Sequence, residues 1–184
     1  MFDRLFRRDT ATAGIASGLY GAIVAQARSP MLYSDYGVPD TVDGRFEMVV
    51  LHTVLFLERL QREGEAGKAI GQGIFDLYCT DMDRSLRELG ISDLGVPKRM
   101  KKMTEAFYGR AGAYRTAITA NDAAGLAEAL RRNVFRGVEA RRGADALAAY
   151  VMASAVRLGA SPATAEPMAF ADPAAFAPAA VTGA

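Results

Sequence analysis

Residues 46–57 read FEMVVLHTVLFL, the most apolar run of the chain, interrupted only by the charge of Glu47 and the imidazole of His52. The run is well below the ~18 to 20 apolar residues that cross a bilayer, so it reads as a helix buried in a protein core. Phe46, Met48, Val49, Val50, Leu51, Val54, Leu55, Phe56 and Leu57 cover most of a helical circumference, which makes this the central helix of the fold. Its predicted span is 40 to 63. Asp40 is placed to cap the free backbone donors, and Asp43 adds negative charge to the first turn.

Helical periodicity continues on both sides of this run, and no stretch shows the alternation of a half-buried strand. Upstream, Ile15, Leu19 and Ala22 place an apolar face on a helix over 11–28 that stops before Pro30. SPMLYSDYGVPD, residues 29–40, then forms a long ordered connection. Downstream, a helix over 66–89 carries Ile70, Ile74, Leu77, Met82, Leu86 and Leu89, and Gly90 with Ile91 suits a Schellman ending. Pro97 opens a fourth helix at a position where its missing N–H costs nothing. Met100, Met103, Phe107, Ala111, Tyr114 and Ile118 mark its apolar face. Asn121 is expected to cap a fifth helix with Leu126, Leu130 and Val134, Gly137 and Gly143 to break it, and Leu147, Val151, Ser154 and Leu158 to line a sixth. The expected fold is all-α, a single domain of about six helices in an irregular bundle.

Three segments follow from composition. Residues 1–10 alternate Phe2, Leu5 and Phe6 with Arg4, Arg7 and Arg8, a short basic amphipathic turn suited to resting on an anionic membrane. Residues 11–158 form the helical body. Residues 159–184 are rich in Ala and Pro and read as a flexible tail with Phe170 and Phe176 as weak anchors. No secretory or membrane-spanning segment is visible, and the expected location is the cytoplasm, with peripheral contact at the inner membrane.

The 184 residues carry 22 basic and 21 acidic side chains, a net charge of +1 that argues against a protein built to neutralise phosphates. Cys79 is the only cysteine, which excludes an internal disulfide and a zinc cage of paired CxxC motifs. One histidine and one cysteine leave little for nucleophilic or zinc-dependent catalysis. No cofactor, metal or catalytic residue is expected, and no specific nucleic acid partner.

Few polar constellations stand out. His52 lies in apolar company and reads as a buried imidazole bonded to a neighbouring helix, with haem ligation as the sharper alternative. Asp81 and Asp83 are about 200° apart around their helix and cannot act together as an acid–base pair. Arg110 lies beside Phe107 and Tyr114 and needs a counter-ion, for which Asp43, Asp76 and Asp83 are the candidates. Lys98, Arg99, Lys101 and Lys102 crowd the start of the fourth helix, against its macrodipole, at ~0.3 kcal/mol or more per charge. An acidic protein loop, lipid heads or RNA phosphates would each relieve that opposition, as would a simply solvated face.

The segments 27–52, ARSPMLYSDYGVPDTVDGRFEMVVLH, 75–103, FDLYCTDMDRSLRELGISDLGVPKRMKKM, and 107–114, FYGRAGAY, resemble the ubiquinol–cytochrome c chaperone family, with weaker likeness in ALRRNVF and LAAYV. The likeness spans roughly residues 15–158. What it implies is a helper of cytochrome bc1 complex assembly, not an enzyme, that engages newly made cytochrome b or another subunit of that complex, with a small partner protein or the ribosome as further contacts. Tyr33, Asp43, Arg45, Lys98, Arg99, Lys101, Lys102 and Arg110 are the candidate client-binding residues. Methionines at 100 and 103 suit an adaptable surface beside the basic cluster. A haem-handling protein built on His52 and an RNA- or ribosome-binding adaptor built on the basic helix are the alternatives from other classes.

Overall fold

Thr41, one residue after the expected cap, starts the central helix. Its backbone is extended, and its hydroxyl accepts a hydrogen bond from the Gly44 amide at 3.1 Å. Asp40 is instead drawn to Arg45, at 2.6 Å. A computed structural model describes residues 2–136, 141–160 and 170–178, with side chains from Thr12 on. Its regular elements are all helical: α1 (Phe2–Ala27), α2 (Pro30–Ser34), α3 (Val42–Leu60), α4 (Gly64–Glu88), α5 (Val96–Thr119), α6 (Ala123–Asn133) and α7 (Arg141–Ala160), with short 3-10 turns at Gln61–Glu63 and Pro173–Ala175.

The all-α expectation holds, with one more helix than expected. The extra element is α2, a single turn inside the 29–40 connection. Pro30 opens it, its ring already set for the helical φ, and the Ser29 carbonyl accepts the Leu32 N–H at 3.1 Å.

Every residue of α3 from Glu47 to Phe56 is buried. Each fully buried Leu, Val, Met or Phe contributes ~1.5–3 kcal/mol relative to exposure, so this helix organises the rest. Helices α1, α4, α5 and α7 pack directly on it; α1 also lies along α4, and α6 bridges α5 and α7. The buried face of α1 is Ala16, Leu19, Tyr20, Ile23 and Ala27, while Ile15 and Ala22 are exposed. That corrects the expected face by one position. The small side chains decide it: a Cβ added at Gly73 on α4 would come within 2.9 Å of the Ala16 methyl, so the two helices approach where both partners are small. Helix α1 also starts at Phe2 and not near residue 11, so residues 2–10 continue it without a break. The side chains of the basic amphipathic turn lie outside the described residues.

Helix ends follow local chemistry. Gly90 takes φ +81°, with the Ile91 amide donating to the Leu86 carbonyl at 3.1 Å and the Gly90 amide to Arg87 at 2.9 Å, the two bonds of a Schellman ending. Asn121 is not the cap of α6. It takes φ +52° as the left-handed residue that closes α5, and Asp122 caps α6 by accepting the Gly125 amide at 2.8 Å. Gly143 does not break a helix but lies in the first turn of α7, where a Cβ would meet the Tyr36 carbonyl oxygen at 2.1 Å. Gly137 lies outside the described residues. Leu147, Val151, Ser154 and Leu158 are all buried along α7.

Of the stretch from 159, expected as a flexible tail, residues 161–169 and 179–184 lie outside the described residues. Gly159 and Ala160 complete α7, and Phe170 and Ala171 are buried against the body.

Glycine in a helix interior ordinarily gains ~0.5–1 kcal/mol on replacement by alanine. Gly18→Ala, with open space around its Cβ, is expected to show that gain in urea unfolding. Gly143→Ala is expected to lose ~1–3 kcal/mol, because the methyl must displace the Tyr36 backbone.

Candidate functional site

Helices α4 and α5 form an antiparallel hairpin whose turn and first α5 residues hold the basic cluster. Lys98, Arg99, Lys101 and Lys102 are all exposed. Lys101 lies 4.0 Å from Glu105; Lys98, Arg99 and Lys102 make no ion pair among the described residues. A cleft of about 680 Å³ runs between them and the turn, lined by Gly90, Ile91, Ser92, Gly95, Lys98, Arg99 and Lys102. Leu89 and Leu94 stand exposed beside it, Leu94 at 93%. The turn itself is braced by Arg87, which bonds Asp83 at 2.6 Å and also Asp93. Asp83 is thus spent on structure, and the Arg87 hydrogen bond holds its carboxyl below the usual range. Asp81 accepts the Tyr20 hydroxyl at 2.9 Å, so the two aspartates face different partners.

Further along the hairpin, Phe75, Tyr78, Phe107 and Tyr108 pack ring against ring between α4 and α5, at centroid distances of 5.1 to 5.9 Å. Tyr108 is mostly exposed at the edge of this cluster. Arg110, one turn on, does not reach any of the expected aspartates. Its guanidinium forms a two-pronged pair with Glu47 of α3, with Nε at 2.6 Å from Oε2. Both side chains are about nine-tenths buried. Burial pushes the Glu47 carboxyl above its usual range, and the hydrogen bonds and charge of Arg110 offset only part of that rise. Arg110 is therefore an internal brace between α3 and α5 and not an open contact residue.

The remaining candidates sit where α2 meets α3. The Tyr33 hydroxyl donates to the Ala27 carbonyl at 2.7 Å, and burial raises its pKa. Arg45, Asp40 and Arg28 are near enough to act on it electrostatically. Arg45 is exposed and paired with Asp40, whose carboxyl is lowered by that hydrogen bond. Asp43 is exposed in the first turn of α3. The structure thus brings Tyr33, Arg45 and Asp43 to one end of α3 and the four cations to the α4–α5 turn. No hydrogen bond or ion pair joins the two sets among the described residues.

His52 is fully buried. Its Nδ1 lies 2.8 Å from the Met48 carbonyl oxygen and its Nε2 2.8 Å from the Tyr150 hydroxyl. A carbonyl only accepts, so Nδ1 carries the proton and Nε2 accepts from Tyr150, which in turn accepts from Gln26 Nε2 at 2.9 Å. Neither ring nitrogen has a lone pair to spare for iron. Burial lowers the imidazole pKa to about 4. Among the described residues there is no group of three or more metal-ligating side chains, and no helix is long and apolar enough to cross a membrane.

Two features escaped the sequence reading. Glu47 was visible as a carboxylate in the most apolar run, which by itself demands a cation. Phe170, expected as a weak anchor, is buried as its ring suggests; the main-chain bonding of Ala171 and Pro173 beside it had no comparable signal.

The fold and surface define a helical domain whose buried ion pair and buried imidazole are satisfied internally and whose open features are a cation-rimmed cleft and exposed apolar side chains, the layout of a protein-binding helper. The chain belongs to the ubiquinol-cytochrome C chaperone family, whose pattern it matches over residues 34–165. It is similar in structure to the Cbp3 homolog from Brucella abortus, with a TM-score of 0.85 and 42% identity over 96% of this chain and 99% of that one. Ubiquinol-cytochrome-c reductase complex assembly factor 1 of Xenopus laevis is 29% identical over 117 residues, 64% of this chain and 58% of that protein. The human assembly factor 1 is 33% identical over 115 residues, 62% of this chain and 38% of that protein. The chain thus spans between about a third and three fifths of the curated relatives it matches.

Two measurements check the buried polar groups. Arg110→Ala leaves Glu47 buried without its cation, so urea unfolding is expected to show a loss of ~3–5 kcal/mol, most of it regained in a Glu47→Leu/Arg110→Met double variant. Below pH ~6.5 the unfolded chain protonates His52 while the folded one resists until about 4. Stability is therefore expected to fall across that window by up to ~3 kcal/mol, and His52→Gln to remove that part of the pH dependence.

Proposed function

We propose that the chain is an assembly chaperone of the cytochrome bc1 complex, ubiquinol–cytochrome c reductase, and that its client is newly made cytochrome b. The observation that carries this reading is the match to the ubiquinol-cytochrome C chaperone family over residues 34–165, together with the likeness over nearly the whole chain to the solved Cbp3 homolog. The curated relatives, named as assembly factors of that enzyme, add to it. The chain acts by holding a polypeptide and carries out no chemistry of its own; its buried histidine is fully engaged and serves the core.

The client contacts are the cations of the α4–α5 turn together with Tyr33, Asp43 and Arg45 at the start of α3. Lys98, Arg99 and Lys102 point positive charge into solvent where the helix dipole is already positive, an arrangement that an acidic or carbonyl-rich client segment relieves. Exposed Leu89 and Leu94 supply apolar area next to that charge, and Met100 and Met103 of α5, packed against the core but only partly buried, leave an adaptable edge beside it. The chain works at the cytoplasmic face of the inner membrane, where its client is inserted, and contacts with a small partner protein or the ribosome belong to the same stage. Neither the haem reading nor the RNA reading gains support: His52 has no free nitrogen, and four cations stand against a net charge of only +1.

Replacing Lys98, Arg99, Lys101 and Lys102 together by Glu is expected to lower recovery of cytochrome b with the affinity-tagged chain from detergent-solubilised membranes by about tenfold, since a loss near 1.4 kcal/mol is tenfold in affinity. Circular dichroism should stay unchanged. Undiminished recovery would reject this placement of the client.

A further inference from the structure

Beyond the α4–α5 turn, the body holds a second groove, walled by Gln26 of α1, Tyr36 after α2, His52 of α3, and Tyr150 and Ser154 of α7. Residues 170–178 of the same chain lie in it. The Phe170 ring stands edge-on to the His52 imidazole at 5.1 Å. The Ala171 amide donates to Ser154 Oγ at 3.1 Å, and the Ala171 carbonyl faces Gln26 Nε2 at 3.5 Å. The Tyr36 hydroxyl donates to the Pro173 carbonyl at 2.6 Å, at the start of a 3-10 turn capped by Asp172.

Two properties set this contact apart from ordinary core packing. The groove reads the segment through its main chain, using one amide and two carbonyls that any peptide possesses. The buried Phe170 ring and a small neighbour, Ala171, supply the sequence preference, with Phe176 partly buried further along. Tyr36 and Ser154 are at most 1% exposed, yet the hydrogen bonds that bring their hydroxyls to another segment are made to this one. The walls contributed by Tyr36, His52, Tyr150 and Ser154 fall inside the family match at 34–165, whereas the occupant falls outside it.

We infer that this groove is a peptide-binding site, that residues 170–178 are its intramolecular occupant, and that in their place it takes an extended segment of another polypeptide with an aromatic residue, a small residue and then a turn-forming proline. His52 and Tyr150 form its rigid floor: the hydrogen bond between them fixes the imidazole whose face receives the aromatic ring. Occupation by the chain's own segment lowers the apparent affinity for an outside peptide by the fraction of time that the site is open. The inference rests on the chaperone reading only for the identity of the outside polypeptide, which the following test does not use.

The probe is a fluorescein-labelled synthetic peptide with the sequence of residues 168–179, MAFADPAAFAPA, added to the full chain and followed by anisotropy. Phe170→Glu, which puts a charge where the ring was buried, is expected to open the site and bind the peptide at least about tenfold more tightly than the natural chain. A peptide with Ala in the place of Phe170 should not bind, and adding Tyr36→Phe to the opened chain should weaken binding several-fold. Phe170→Ala provides the same comparison should the charged variant not fold. The inference is overturned if a folded opened variant takes no peptide, or if it takes both peptides equally. It is also overturned if both Phe170 variants lose their helical signal, since the segment would then be part of the fold and not an occupant.

Discussion

A carboxylate and an imidazole sit in the stretch of α3, Glu47 to Phe56, in which every residue is buried, and each has to find a partner on a different neighbour. Glu47 takes Arg110 from α5; His52 takes Tyr150 from α7 and, through it, Gln26 from α1. Apolar packing alone leaves helices free to slide and rotate at small cost, whereas these bonds exist at one register only. Three of the long helices, α1, α5 and α7, are thereby fixed around α3, and α4 follows from its close approach to α1 at Ala16 and Gly73. The polar groups are spent on position, which leaves the outer surfaces to carry function.

Those surfaces divide the work. At one end of the α4–α5 hairpin, charge and exposed leucines offer a broad contact whose strength depends on many weak terms. In the groove over His52, residues 170–178 of the chain itself are held by directed hydrogen bonds and the Phe170 ring. On the proposed function the two kinds of contact would serve different steps: a tolerant one that captures an unfinished subunit and a selective one that confirms what has been captured. The methionines of α5 and the main-chain reading of the groove share this tolerance, since neither demands a long fixed sequence.

Much of the fold was legible because its signals are local. The apolar run at 46–57, the Gly90–Ile91 ending and Pro97 each act within a few residues, and each produced the element expected of it. The face of α1 was misread because alanines and glycines on several sides give no clear period, and only the partner helix reveals which side is narrow. Arg110 was recognised as needing a counter-ion and Glu47 as a charge in an apolar run. Joining the two demands across 63 positions would have identified the pair, but stripe arguments along one helix do not reach that far. Phe170 was legible as an anchor because it is an aromatic ring in an Ala/Pro stretch, and it is buried; the backbone hydrogen bonds of Ala171 and Pro173 were not, since an Ala/Pro composition neither announces nor forbids them.

The proposed function makes the bc1 complex the destination of the client. Its most direct test is to remove the gene from the native host and quantify assembled bc1 complex and cytochrome b in the membranes, with the other respiratory complexes as internal controls. The expected result is a parallel fall in both, with the controls unchanged and recovery when the gene is returned. Membranes with normal amounts of bc1 complex and cytochrome b would contradict it.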